Sequence, residues 1–442
     1  MTYIDRRKTT ATLGVALFAS LLMLASTSTL ESLHRQAFTS TSNVDSLAIF
    51  KAIARSCCVL VGIFVFIDAR LRIRDIFRGG PSVLLAYYMF ALGTTVYSAE
   101  PLITSTRAIS FIAILLYGCV VAQGLARQRA LPAFWQGLYV GFGLFTLVTL
   151  AFAIAFYQPK ASDVERAAGL FTSNLAGSIA GIAVVWTYVR VLRGDFALTT
   201  IMTGLSGLAL LLLTISRGAL VAVFAICALA TLMRRRTFTT ALIGTTVLCL
   251  AGFAYALKAG DPGEKFAQYL GRGQDSQQVV AMSGRVPLWI FLATEQFPKA
   301  PYFGVGFQML SDEGQHPSKK IGVVLTGVRA NWGWKPTHAH DSILQTLIGT
   351  GLFGLTLFVV GWFLTQRQLL RAARTGNAIA EEAWFVLIFS LTHSLVDTMM
   401  TATVDPTFVM ASIICGIATV YAIAPQRVPM PVREARPLEM AT

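Results

Sequence analysis

Residues 108–126 read AISFIAILLYGCVVAQGLA, and Arg127 and Arg129 follow directly. The run carries no charged side chain and is about as long as the hydrocarbon core of a bilayer, which a helix of roughly 20 residues crosses. In lipid, a segment this apolar must satisfy its backbone hydrogen bonds internally, which makes it a helix. The arginines at its end suit the cytoplasmic side of a membrane, where basic residues accumulate.

The same unit recurs along the chain. Comparable runs fall at 11–30, 46–68, 81–97, 133–156, 169–189, 197–215, 218–233, 238–257, 341–365, 382–398 and 405–424, so twelve spans are expected. A composition of 55% hydrophobic and 13% charged residues excludes an ordinary soluble domain. The breaks alternate in charge. Arg6, Arg7 and Lys8, then Arg70 to Arg78, Arg127 and Arg129, Arg190 and Arg193, Arg234 to Arg236, Arg367 to Arg374, and Arg427 to Arg436 occupy every second connection. Both termini are therefore expected in the cytoplasm. The net charge of +14 follows from this topology and needs no nucleic-acid partner. The first run is long and lacks a small-x-small cleavage site, so it reads as a retained span. Cys57, Cys58, Cys119, Cys227, Cys249 and Cys415 all fall within spans and form no disulfide or zinc pattern.

The expected organisation is all-α: helices one to nine over 1–257, an extracytoplasmic loop over 258–340, helices ten to twelve over 341–424, and a Pro-rich cytoplasmic tail over 425–442. The loop is too long for a connector. It holds an apolar stretch near 286–297 that is too short to span, expected as a helix lying at the interface with Trp289 at its boundary. Its Lys and Arg outnumber its Asp and Glu, against the trend of the other outer connections. Meeting an anion would account for that, as would the indifference of long loops to the charge rule.

Candidate chemistry gathers on this outer side. In THAHDSILQ, residues 337–345, His338 and His340 stand where polar chain gives way to an apolar run. Ser342 and Gln345 have capping-box spacing. Imidazole titrates near neutrality, and a carboxylate such as the adjacent Asp341 tunes it as a proton acceptor; hydrogen bonding to loop backbone or headgroups is the alternative. A His-x-His pair also supplies two metal ligands, but no Cys or HExxH pattern completes a zinc set, so no metal is expected. Arg217 is the only charged residue between Phe196 and Met233 and sits at a tight turn between two spans. At the bilayer edge it needs an anionic partner, either lipid phosphate or a phosphorylated substrate. Arg285 leads into the interfacial stretch, and Arg166 stands just outside the sixth span, with Asn174 soon after Arg166 in the chain. His393 and Asp397 are four apart and expected on one helix face.

Four pieces, SRGAL at 216–220, GRVPLW at 284–289, PYFGVGF at 301–307 and HAHDSILQTLIGTGLFG at 338–354, together resemble the O-antigen ligase and polymerase superfamily in order and topology. By the spacing of the last piece the motif histidine is His340, followed by Leu344, Gly351 and Gly354. The residue after it is commonly Asn in such proteins and is Asp341 here, so His338 and His340 both stand for the catalytic position. The family's arginines fall on Arg217 and Arg285. The resemblance implies a GT-C-like membrane fold in the bacterial inner membrane with its active site facing the periplasm. It further implies a metal-independent glycosyltransferase without cofactor, whose donor is an undecaprenyl-diphosphate-linked glycan and whose acceptor is lipid A-core. O-antigen polymerase and protein O-oligosaccharyltransferase share these motifs, and a secondary transporter is the reading from another class.

Overall fold

The computed structural model describes residues 3–27, 46–155, 173–234, 285–312, 338–398, 400–401 and 405–423. These residues form helices and no β-strand. The long elements are α1 (Tyr3–Thr27), α2 (Ser46–Asp68), α3 (Gly80–Gly93), α4 (Pro101–Arg127), α5 (Leu131–Ala155), α6 (Ser173–Leu192), α7 (Leu198–Thr214) and α8 (Arg217–Met233). The short α9 (Arg285–Phe291) comes next, then α10 (Ser342–Arg374), α11 (Ala378–His393) and α12 (Pro406–Ile423). Among the described residues, five stretches are long and apolar enough to cross a membrane: Lys8–Ser26 in α1, α4, α5, Asn174–Leu192 in α6, and α10. The chain is thus a helical membrane protein. Eleven of the twelve expected runs overlap a described helix. The run at 238–257, Arg166, the tail and most of the 258–340 loop lie outside the described residues.

Without a hydrophobic difference between lipid and side chain, helices in a membrane associate by close packing of small residues. α4 and α12 do so at Gly118 and Gly416. A Cβ on Gly118 would lie 2.3 Å from the Ser412 carbonyl oxygen, and one on Gly416 would lie 2.2 Å from that of Gly118. Around this crossing Phe111 meets Phe408 at 4.4 Å and stacks on Tyr88 at 5.2 Å. Phe307, from the loop before α10, inserts edge-on against Phe111 at 5.7 Å. The loop is therefore pinned by a buried ring.

α10 is a broken helix, and the break explains the glycines of both motifs. At Gly351 the backbone turns to φ 67° and ψ −170°, interrupting the hydrogen-bond ladder. Freed backbone groups in a membrane protein must find partners. Ile348 and Gly349 carbonyls accept from Val305 and Gly306 N–H, both at 3.0 Å. Leu352 and Phe353 N–H donate to the carbonyls of Pro301 and Tyr302 at 2.9 and 3.1 Å. PYFGVGF thus lies as a splice along the gap in α10. Gly351 tolerates the close approach because a Cβ there would sit 2.3 Å from the Tyr302 backbone.

Above the splice lies a second, smaller apolar cluster. Leu288, Phe291 and Leu292 pack with Val305, Met309, Leu310, Ala339 and Ile348, while Ile290 stays 59% exposed. A short amphipathic helix therefore stands where the sequence led one to expect it; α9 continues through a π turn, Leu292–Gln296, and a 3-10 turn, Phe297–Lys299.

Two local expectations are corrected. Asp341, not Ser342, caps α10: its Oδ1 accepts from Leu344 N–H at 2.7 Å. Gln345 reaches back past the cap to Ala339 N–H at 2.8 Å. And α11 ends at His393 with Ser394 as its C-cap, so Asp397 lies in the connection after the helix and does not share a face with His393. The chain leaves the helix there because the Ser394 carbonyl accepts from Ser342 N–H at 2.9 Å, outside the helix.

Candidate active site

The segment His338–Ala339–His340 is held from two directions before any reactive group is considered. Trp289 Nε1 of α9 donates to the Ala339 carbonyl at 2.8 Å, and Gln345 Oε1 of α10 accepts from its N–H at the same distance. His340 itself occupies the left-handed region at φ 55°, a conformation uncommon for residues with a Cβ. This sharp turn sets the two imidazoles against each other, with ring centroids 4.2 Å apart.

The carboxylate beside the pair is Asp397, brought from the far side of α11. Its Oδ1 stands 3.6 Å from His340 Nδ1. The aspartate is fixed by its backbone: its carbonyl accepts from Ser342 Oγ at 3.2 Å, and Oδ1 accepts from Thr398 N–H at 2.8 Å. Burial works against a charge on Asp397, yet His340, Arg285 and His393 outweigh it and hold the carboxyl below its usual range. Asp341, the neighbour in sequence, instead faces into α10 as its cap.

The histidines differ electrostatically. Burial pushes His338 down to about 3, with His340, Arg285 and Arg107 adding to the effect and Asp397 offsetting part of it. At neutral pH its ring is uncharged and weakly basic. Of the two rings, His340 is the one whose Nδ1 faces the Asp397 carboxylate.

The arginines approach from the α8 and α9 side. Ile215, left-handed at φ 47°, makes the tight turn from α7 so that Arg217 is the first residue of α8. Arg285 opens α9 and donates from Nη1 to the Val396 carbonyl, adjacent to Asp397. Arg217 and Arg285 are close enough to repel each other. An anion bound between them would relieve that repulsion.

His393 buttresses the site. Its ring is buried, lies parallel to Phe389 at 5.9 Å, and contacts Ser178 Oγ of α6 through Nδ1 at 2.9 Å. Asn174, one turn earlier, contributes its backbone carbonyl to Ser178 Oγ at 3.2 Å. Of the residues singled out in the sequence, His338, His340, Arg217, Arg285, His393 and Asp397 converge, Asp341 and Asn174 support them, and Arg166 lies outside the described residues.

Sequence reasoning missed Arg107 and Gln308. α4 begins at Pro101, ahead of the apolar run at 108–126, so Arg107 stands within a helix and not on a flanking loop. The signal was an arginine two turns inside a Pro-initiated helix. Asp405, 4% exposed, was also missed; it caps α12 by accepting from Phe408 N–H at 2.8 Å and interacts with Asp397.

One ligand atom from each of His338, His340 and Asp397 lies within 4.8 Å of the others. Tetrahedral donors around a zinc ion, about 2.0–2.2 Å from the metal, stand about 3.3–3.6 Å apart, a spacing that the 3.6 Å between His340 Nδ1 and Asp397 Oδ1 fits, so the set could hold a metal ion. The charges of Arg285 and Arg107, both felt at His338, oppose a cation.

Residues 202–359 match the family model described as O-antigen ligase. The matched segment includes Arg217, Arg285, His338 and His340, whereas Arg107, His393 and Asp397 lie outside it. No curated protein matches the chain.

Proposed function

From the match of residues 202–359 to the O-antigen ligase family model, we infer that the chain is a member of that superfamily and transfers a glycan from undecaprenyl diphosphate to a sugar hydroxyl of lipid A-core. The match itself supports a ligase or polymerase type of function. The finer reading is carried by one observation: an imidazole–carboxylate pair and two guanidiniums meet at one end of a membrane bundle.

A sugar hydroxyl is a weak nucleophile, and a positioned base supplies about 10²–10⁴ in rate. His340 takes the hydroxyl proton as the oxygen bonds to the anomeric carbon. Asp397, on the Nδ1 side, orients the ring and stabilises the imidazolium, the role a buried aspartate plays in catalytic triads. The bond from the anomeric carbon to the diphosphate oxygen breaks with inversion, and its electron pair leaves with the lipid diphosphate. Arg217 and Arg285 stabilise that growing charge. His338, kept neutral, adds a hydrogen-bonding ring without competing for the proton. Arg166 is proposed as an auxiliary diphosphate contact. The reaction needs neither metal nor cofactor, since the donor is already activated. It takes place at the periplasmic face of the bacterial inner membrane.

Reconstitution of the purified protein in liposomes with a lipid-diphosphate glycan and candidate acceptors tests this reading. Sugar appearing on lipid A-core supports the ligase; elongation of the donor glycan itself would make the chain a polymerase, and glycan on a protein would make it an oligosaccharyltransferase. Transport driven by an ion gradient, surviving loss of Arg217 and His340, would overturn the enzymatic reading.

A further inference from the structure

A groove on the flank of the bundle lies between α1, α2 and α4, and the proposed transfer does not use it. Its volume is about 380 Å³, within the range of about 300–1,000 Å³ usual for small-molecule sites. Met23, Cys58 and Ile114 are buried and form its floor, whereas Leu60 is 64% and Ile109 53% exposed at its rim. The groove therefore opens sideways, onto the lipid around a membrane bundle.

Its polarity is graded along the helices. α2 and α4 run in the same direction: the carbonyl of Arg70, just past the end of α2, accepts from Nη1 of Arg127, the last residue of α4, at 2.7 Å. Arg55, Ser56 and Ser110 line the groove nearer the starts of both helices, and Val59, Leu60, Ala113 and Ile114 line it one turn further on. Arg55 Nη1 donates to Ser110 Oγ at 3.2 Å, which ties α2 to α4 at that level. One turn before Ser110, Arg107 donates to Gln308 Oε1 at 2.8 Å and its charge is felt at His338. The polar end of the groove thus faces the end of the bundle that carries the histidines.

Arg55 stands thirteen residues before the end of α2, about 20 Å along a helix axis, where the hydrocarbon core measures about 30 Å. A charged side chain at such depth is costly unless it pairs or lines a cavity. Its hydrogen bond goes to a neutral hydroxyl, and no carboxylate pairs with it among the described residues.

We propose that this groove binds a phospholipid of net negative charge from the surrounding bilayer, with its phosphate on Arg55 and Ser110 and the upper part of one acyl chain along Val59, Leu60, Ala113 and Ile114. Charge complementarity selects the occupant. A guanidinium offers a phosphate two parallel N–H donors, and a headgroup carrying its own ammonium would be repelled by the same charge. The apolar stretch runs in the direction a lipid chain takes below its phosphate. Seated there, the lipid braces α2 against α4 one turn from Arg107, on helices other than those that carry Arg217 and Arg285.

Native mass spectrometry of the full-length protein in neutral detergent, titrated with phosphatidylglycerol or with phosphatidylethanolamine of the same chains, tests this. Wild type is expected to bind phosphatidylglycerol about tenfold more tightly, the scale of one hydrogen bond to a charged group. Arg55→Gln should abolish that preference and Arg55→Lys should keep part of it. Ala113→Leu, which narrows the apolar stretch, should weaken binding of both lipids, while Arg217→Gln should leave the preference unchanged. If Arg55→Gln does not fold, Arg55→Lys and Ala113→Leu carry the comparison. Equal affinities in wild type, a preference that survives Arg55→Gln, or one lost with Arg217→Gln would overturn the proposal. Displacement of phosphatidylglycerol by tighter-binding undecaprenyl phosphate would overturn it too, because the occupant would then be the donor's lipid. The titrations contain no glycan, so failure of transfer in the liposome assay would leave this result standing.

Discussion

His340 Nδ1 stands 3.6 Å from Asp397 Oδ1, two groups that different parts of the chain carry to the same end of the bundle. Asp397 is anchored through its own backbone by Ser342, the first residue of α10, so the helix that follows His340 also positions its partner. Replacing Asp397 by Asn preserves the shape and removes the charge that holds an imidazolium. Asp397→Asn is expected to lower kcat for glycan transfer about 100-fold or more, with KM for the donor little changed. A variant retaining wild-type kcat would remove Asp397 from the mechanism.

Loss of His340 should be far more severe than loss of His338. His340→Ala and Arg217→Ala are expected to insert and fold yet transfer no detectable glycan, whereas His338→Ala keeps residual activity. Equal residual rates in the two histidine variants would show that the proton is shared differently.

The depressed His338 makes stability fall with acid. Unfolded, its ring binds a proton below the ordinary value near 6.5; folded, it stays neutral down to about 3. Between those limits the unfolded state holds more protons, so stability drops as pH falls and is fully present above 6.5. The thermal midpoint in detergent should decline from pH 6.5 to pH 4, and less steeply in His338→Asn. Parallel curves for the two proteins would contradict the assignment.

Chelation separates the two uses of the His338, His340 and Asp397 cluster. With arginine charge already on His338, EDTA is expected to leave the transfer rate unchanged. Inhibition by EDTA that added divalent metal restores would overturn the metal-independent reaction.

Gly351 tests the splice in α10. Its φ of 67° and the 2.3 Å approach to Tyr302 leave no room for a methyl group. Gly351→Ala should cost about 2–3 kcal/mol or more and detach the 301–306 segment from the helix, seen as faster amide exchange at Val305 and Gly306. Unchanged exchange would mean that the break is not what holds the segment.

Glu382 serves as a contrast at the other end of α11, about 16 Å along the helix from His393. It accepts from Trp135 Nε1 at 2.8 Å, Trp186 Nε1 at 2.9 Å, Arg190 Nε at 3.3 Å and Arg193 Nη1 at 3.1 Å. This cluster ties α5, α6 and α11 together away from the site.

Much of the architecture is legible in the chain itself. Apolar runs of span length force helices because lipid offers the backbone no partner, and alternating arginines mark their ends. His338, His340, Arg217 and Arg285 stand out because charged or titratable groups are rare in such a composition. Asp397 was named, but as a helix partner of His393; the hydrogen bonds that end α11 at Ser394 are long-range and leave no local pattern. Arg107, just ahead of the apolar run at 108–126, and Gln308 were not singled out in the sequence. The break in α10 and its splice were likewise hidden, although their glycines were visible. Local sequence therefore determined which segments are helices and which residues are unusual, since those depend on hydropathy and composition. Only tertiary packing decided which carboxylate faces which imidazole and which side chain meets Arg107, because those contacts join residues far apart in the chain, His340 with Asp397 and Arg107 with Gln308.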